Sequence, residues 1–182
     1  MIVGVVGTKG PFPRLVGALA AWARAHPDEP VWVQYADGAL PAELVGVQTI
    51  AREALLARLG EARVVVTHAG SGTVRDALAL GHVPVVVPRR AAHGEHINDH
   101  QLELTEALAD RIVACLDPTD APAFAAAIAE AASRRGPPLE GAPAEALIAD
   151  LRAALARLRP PTRSWLWRVV EPLTRAIHLR RL

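Results

Sequence analysis

Residues whose types and spacing suit chemistry gather in three short segments. The first is His68-Ala69-Gly70-Ser71-Gly72-Thr73. Its small residues let a ligand approach the backbone closely. A helix opening behind them would add free N–H donors and a partial positive charge. With the hydroxyls of Ser71 and Thr73, that environment suits a diphosphate. The same residues also fit a plain strand-to-helix turn, with Thr73 as N-cap and Asp76 as its reciprocal partner. Gly7-Thr8-Lys9-Gly10 carries a similar pair of readings. Thr8 and one or two backbone N–H groups would face a phosphate, or glycine simply eases a tight turn.

The third segment runs Arg89-Arg90-Ala91-Ala92-His93-Gly94-Glu95-His96-Ile97-Asn98-Asp99-His100-Gln101. Four of the seven histidines are His68, His93, His96 and His100. His96 and His100 would share a helical face, which raises a zinc-dependent hydrolase as one reading. The spacing is not His-Glu-x-x-His, and Gly94 and Asn98 suit a loop entering a helix. A polar cluster that hydrogen-bonds a hydroxyl-rich ligand accounts for the Asn, Asp, His and Gln together. A solvated loop with an Asn or Asp helix cap is the third reading. No Gly-x-x-x-x-Gly-Lys-Ser/Thr occurs, which excludes a P-loop, and no Gly-x-Gly-x-x-Gly follows the first apolar run.

These segments need elements to hold them. Apolar, β-branched runs predict strands at 2–7, 31–35, 45–50, 63–68, 83–88 and 112–116. Stretches of helical period predict helices at 14–25, 52–62, 73–80, 99–109 and 120–134. The strands lack in/out alternation, as expected of strands buried on both faces of a parallel sheet. Strand then helix, repeated five times, predicts an α/β fold with an open, doubly wound sheet. Ligands then bind at the carboxyl ends of the strands, where all three segments fall. A further helix is expected at 144–158, and Pro160-Pro161 should close the regular domain, giving a body of 1–159 and a tail of 160–182.

Composition bounds the class. Of 182 residues, 51% are apolar, enough for one sizeable core. The single cysteine, Cys115, rules out a disulfide framework. The net charge of +1 conceals a division: 160–182 carries five Arg against one Glu, and the remainder is slightly acidic. That balance argues against a general nucleic-acid binder and gives the tail a local partner. Trp165, Trp167 and the arginines of 164–182 suit an amphipathic helix at an anionic membrane surface or on a membrane-bound partner. Met1–Gly7 reads as a first strand, not a secretory peptide, and the chain is expected in the cytoplasm. Lys9 is the only lysine beside nineteen arginines.

Several blocks resemble the C-terminal domain of family 28 glycosyltransferases: Val66–Thr73, Val85-Val86-Val87-Pro88-Arg89, Glu95-His96, and Asp99-His100-Gln101-Leu102-Glu103-Leu104. Val6-Gly7-Thr8, Phe12 with Arg14-Leu15-Val16, and Val33-Gln34-Tyr35 extend the likeness over roughly 1–130. The likeness is to small stand-alone versions, as in the catalytic subunit of the dolichol-linked UDP-N-acetylglucosamine transferase and in bacterial exopolysaccharide transferase pairs.

The resemblance implies one Rossmann-like half of a GT-B enzyme, the half that binds a UDP-sugar donor. It implies that His68, Gly70, Ser71, Gly72 and Thr73 cradle the donor diphosphate, with Gly7 and Thr8 closing from the first loop. Asp76 falls where the family has a carboxylate for the ribose hydroxyls, one methylene shorter than the usual Glu. His100 and Gln101 fall at the pair that contacts sugar hydroxyls, with Glu95, His96 and Asp99 in the same block. Pro13, Lys9 and Gly10 depart from the usual first loop.

The implied activity is transfer of a hexose-type sugar to a lipid-linked acceptor, with inversion and without a metal or other cofactor. At 182 residues the chain has no room for a second Rossmann-like domain. The expectation is therefore a donor-binding subunit whose general base and acceptor site lie on a membrane-anchored partner. It would sit peripherally on the cytoplasmic face of the membrane. A catalytically silent nucleotide-sugar-binding module is the alternative.

Overall fold

A computed structural model of the chain describes residues 1–136. The expected helix at 144–158 and the tail at 160–182 lie outside the described residues.

Among the described residues six strands form one parallel sheet: β1 (Ile2–Val5), β2 (Val31–Gln34), β3 (Val45–Val47), β4 (Val64–His68), β5 (Val85–Val87) and β6 (Val113–Ala114). The helices are α1 (Pro13–Ala25), α2 (Arg52–Glu61), α3 (Ser71–Ala79), α4 (His100–Ala107) and α5 (Ala121–Ser133). A short 3₁₀ turn, Ala91–His93, which sequence periodicity does not announce, interrupts the segment before α4.

The strand order is β3-β2-β1-β4-β5-β6. This is the doubly wound, Rossmann-like order, in which the chain works outward from β1 and then restarts beside it at β4. Register is tight at that junction: Val5 pairs Thr67, and Ile2 pairs Val64. The carboxyl ends of β1 and β4 therefore open side by side, bringing Gly7 and His68 together.

Alternate strand residues feed opposite faces, as a period of two requires. Ile2, Val33, Val64, Val66, Val85 and Val87 pack with Leu15 and Leu19 of α1 and with Phe124 and Ile128 of α5. Val3, Val5, Trp32 and Val65 pack on the other side with Leu59 of α2 and Ala77 of α3. Val86 completes that side with Val74, Leu104 and Leu108. Gly4 is required by close approach, since a Cβ there would stand 2.5 Å from Leu19 Cδ1.

The expectation of burial on both faces fails at β3. Val45 is 70% exposed on this strand, which forms the sheet's edge. Among the described residues no helix is long and apolar enough to cross a membrane.

Candidate nucleotide-sugar site

At the β1/β4 junction lies a pocket of about 130 Å³ lined by Val6, Thr8, Lys9, His68, Arg89, His96 and Gln101. It thus joins all three segments singled out in the sequence. Each is fixed there by a specific device.

The first loop is held from two sides. Gly7, at φ +88°, is in the left-handed region that favours glycine. The buried Gln34, at the end of β2, accepts from Gly7 N at 3.0 Å and donates to Gly7 O at 2.9 Å. From the opposite side comes the guanidinium of Arg89, which is only 3% exposed. It donates to the carbonyls of Val6 (3.1 Å), Gly10 (3.1 Å) and Pro11 (2.8 Å) and stands 4.5 Å from the centre of the Phe12 ring. An arginine suits this place because its planar fork satisfies several carbonyls at once. Neither clamp was identified from sequence, although both residues fall in blocks that carry the family likeness. The signal was a buried-strand Gln and an Arg directly after an apolar strand.

His68 ends β4 with its ring against the glycines on either side. A Cβ on Gly7 would come within 2.5 Å of its Cε1, and a Cβ on Gly70 would clash with the same ring. Burial, and then the positive charge of Arg89, push His68 down to about 4, so the ring is neutral at neutral pH. The structure makes His68 a neutral hydrogen-bonding group.

The capping-box reading of the second loop does not hold. Helix α3 starts at Ser71 with Gly70 at the N-cap position and no side-chain cap, so Thr73 already lies in the first turn. The first-turn N–H groups of α3 are thus left without a side-chain cap beside His68. Asp76, buried at 7% exposure, sits a turn further on and accepts from Arg52 at 2.9 Å and from Arg75 at 2.9 and 3.1 Å. It does not line the pocket.

The third loop divides into residues that line the pocket and residues bonded only within the protein. The Gln101 side chain is buried, and its Oε1 accepts from Arg89 N at 2.9 Å. That bond fixes which end of the amide is oxygen, and it leaves the NH₂ toward the pocket. His96 lines the pocket and packs edge-to-face on His100, with ring centroids 4.5 Å apart. His100 hydrogen-bonds through Nδ1 with Asn98 Oδ1. Burial, and then His96, lower its pKa.

Glu95 does not line the pocket and bonds within the protein. Its carboxylate takes two 2.8 Å bonds from Arg14 and one of 3.0 Å from Arg90 N. Burial pushes this carboxyl up, but the bonds from Arg14 and Arg90 outweigh that and hold it below its ordinary value. Arg14 also donates to the carbonyls of Pro88 and Leu116, tying α1 to the ends of β5 and β6. Asp99 accepts from Ala91 N at 2.8 Å and pins the 3₁₀ turn. The pocket thus brings together Thr8, His68, His96 and Gln101, with Gly7 behind. Glu95, Asp99 and Asp76 bond to the protein itself. Among the described residues no group of three or more His, Cys, Asp or Glu is arranged to hold a metal ion.

A parallel sheet of this order, with a polar pocket at its switch point and an uncapped helix start beside it, defines a Rossmann-like α/β domain. Residues 43–132 match the family model described as Glycosyltransferase family 28 C-terminal domain.

Three solved structures are similar to the chain, one of them at a TM-score above 0.5. The glycotransferase of kitacinnamycin is 22% identical with a TM-score of 0.51, covering 85% of this chain and 40% of its own. CalG4, the calicheamicin glycosyltransferase, is 20% identical with a TM-score of 0.48, covering 85% of this chain and 39% of its own. The glycosyltransferase SnogD from Streptomyces nogalater is 20% identical with a TM-score of 0.42, covering 98% and 43%. The chain therefore spans about two fifths of the length of these structures. Its sheet is the Rossmann-like fold of one GT-B half. No curated protein matches the chain.

Proposed function

We propose that this chain is the donor-binding subunit of an inverting glycosyltransferase. It would move a hexose-type sugar from a UDP-sugar to a lipid-linked acceptor in polysaccharide or glycolipid synthesis. The observation that carries this reading is the pocket between His68 and Gln101, which opens beside the uncapped first turn of α3.

In such a reaction the sugar–phosphate bond breaks and the nucleotide diphosphate leaves with the electron pair. The first-turn N–H groups of α3 present fixed dipoles to that charge, which stabilises it without reorganisation. Ser71 and Thr73 add hydroxyl donors, and neutral His68 adds a hydrogen bond. The Gln101 NH₂ and His96 read the sugar hydroxyls. Ribose would compete with Arg52 and Arg75 for the Asp76 carboxylate.

The acceptor hydroxyl also needs a general base. No carboxylate lines the pocket. The base is assigned to a membrane-associated partner chain that also holds the lipid acceptor, and the complex works on the cytoplasmic face of the membrane. The basic tail at 164–182 would contact that partner or the membrane surface.

The test is reconstitution of the full chain with its membrane partner and a radiolabelled UDP-sugar. Incorporation into lipid that falls at least tenfold in His68→Ala and Gln101→Ala supports the reading. Incorporation that survives both changes overturns the site. Tight UDP binding with no incorporation from any donor sugar makes the chain a silent binding module.

A further inference from the structure

The pocket holds two cations and no acid, and the two cations differ in kind. Arg89 is buried, and its two terminal nitrogens donate to the carbonyls of Val6, Gly10 and Pro11, with Glu95 O at 3.5 Å. It is therefore part of the wall, and its forked geometry faces the first loop. Arg14 is held by Glu95 and two further carbonyls, and Arg52 and Arg75 are held by Asp76. None of these three lines the pocket, nor does Arg90.

Lys9 is the other cation. Its residue is exposed, it lines the pocket, and it makes no hydrogen bond or ion pair among the described residues. Its neighbours Gly7 and Gly10 both have positive φ, at 88° and 65°, and both are fixed by the Gln34 and Arg89 clamps. The backbone that carries Lys9 is thus rigid, while its side chain is free to swing. An ammonium on a four-carbon stem is a compact, mobile charge with three donors, suited to a phosphate oxygen whose position shifts.

We propose that Lys9 supplies the mobile counter-charge for the diphosphate of the bound nucleotide sugar, pairing directly with its phosphate oxygens. This rests on the donor-site reading above and extends it to a residue that the sequence comparison marked only as a departure from the usual first loop. The wall contributes fixed dipoles, and Lys9 adds a full charge that engages when the anion arrives.

Because Lys9 is the only lysine in the chain, the test is unusually clean. Acetylation of the full-length protein with an amine-selective reagent, read by peptide mass spectrometry, labels only Lys9 and the α-amine. UDP is expected to protect Lys9 at least threefold and to leave Met1 unchanged, while uridine protects neither. In parallel, Lys9→Met should bind UDP about tenfold more weakly, as expected for loss of a charge-assisted hydrogen bond, and Lys9→Arg should recover most of that loss. Uridine affinity should not move in either variant.

Equal UDP affinity in wild type and Lys9→Met, or labelling indifferent to UDP, overturns the assignment and leaves the donor site standing. A parallel loss of UDP and uridine in Lys9→Met also overturns it, since that marks a structural role. Wild-type protein that binds UDP in neither assay overturns the donor-site reading itself.

Discussion

The imidazole of His68 occupies the space into which a side chain on Gly7 would project: a Cβ there would stand 2.5 Å from Cε1 and 2.6 Å from Nε2. Two loops that are far apart in sequence are thereby fitted to each other before any ligand arrives.

Gly7→Ala meets two obstacles, the clash with His68 and the cost of φ +88° for a residue with a Cβ. Destabilisation of about 2–4 kcal/mol is expected, because neither the ring nor the strand end has room to give. Urea unfolding measures it, and a change below about 0.5 kcal/mol would show that the loop relaxes freely.

The depressed pKa of His68 predicts an acid limb. The folded ring binds its proton only near pH 4, whereas an unfolded histidine binds it near the ordinary value of 6.5. Stability from this group is therefore complete above pH 6.5 and is lost as pH falls from 6.5 toward 4, where the unfolded chain holds the extra proton. His82, lowered mainly by burial, adds to the same limb. Titration of the His68 ring signals by NMR checks the assignment directly, and a midpoint above 6 would refute it.

Under the proposed function Gln101 has two duties that substitution separates. Gln101→Glu keeps an acceptor for Arg89 N but replaces the NH₂ by a carboxylate oxygen. The fold should hold, while UDP-sugar affinity should fall by about tenfold or more, from loss of a donor and repulsion of the anion. Gln101→Leu abandons Arg89 N inside the protein and is expected to cost about 1–3 kcal/mol of stability as well. Thermal unfolding and calorimetric binding on both variants test this, and unaltered affinity in Gln101→Glu would remove Gln101 from the ligand.

Glu95 and Arg14 should behave as a unit. Their side chains are 7% and 12% exposed, so removing either leaves a poorly solvated charge. Each alanine variant is expected to lose roughly 3 kcal/mol, with the double variant losing much less than the sum. A double-mutant cycle that comes out additive would show the pair to be incidental.

Much of the framework was legible because runs such as Val64-Val65-Val66 leave few alternatives to a buried strand, and the helical stretches between them set a parallel sheet. Observed element ends fall within three residues of those expected. The loops bearing Thr8, His68 and Gln101 were legible because glycine and polar residues stand out after such strands. The clamps were not, since Arg89 reaches Val6 across 83 positions and Gln34 reaches Gly7 across 27. Glu95 shows the same blind spot in reverse: residue type marks a carboxylate for a ligand or for an arginine alike, and only packing chose Arg14. Residue type likewise did not announce the Arg52 and Arg75 partners of Asp76.

The grip of Arg89 on three carbonyls of the first loop has a thermodynamic consequence for recognition. Those backbone torsions are frozen when the domain folds, so a ligand arriving later has little chain left to order. Association should therefore be fast and show a small entropic penalty. Arg89→Lys, which cannot span all three carbonyls, should leave enthalpy nearly intact while making the entropy of binding distinctly worse.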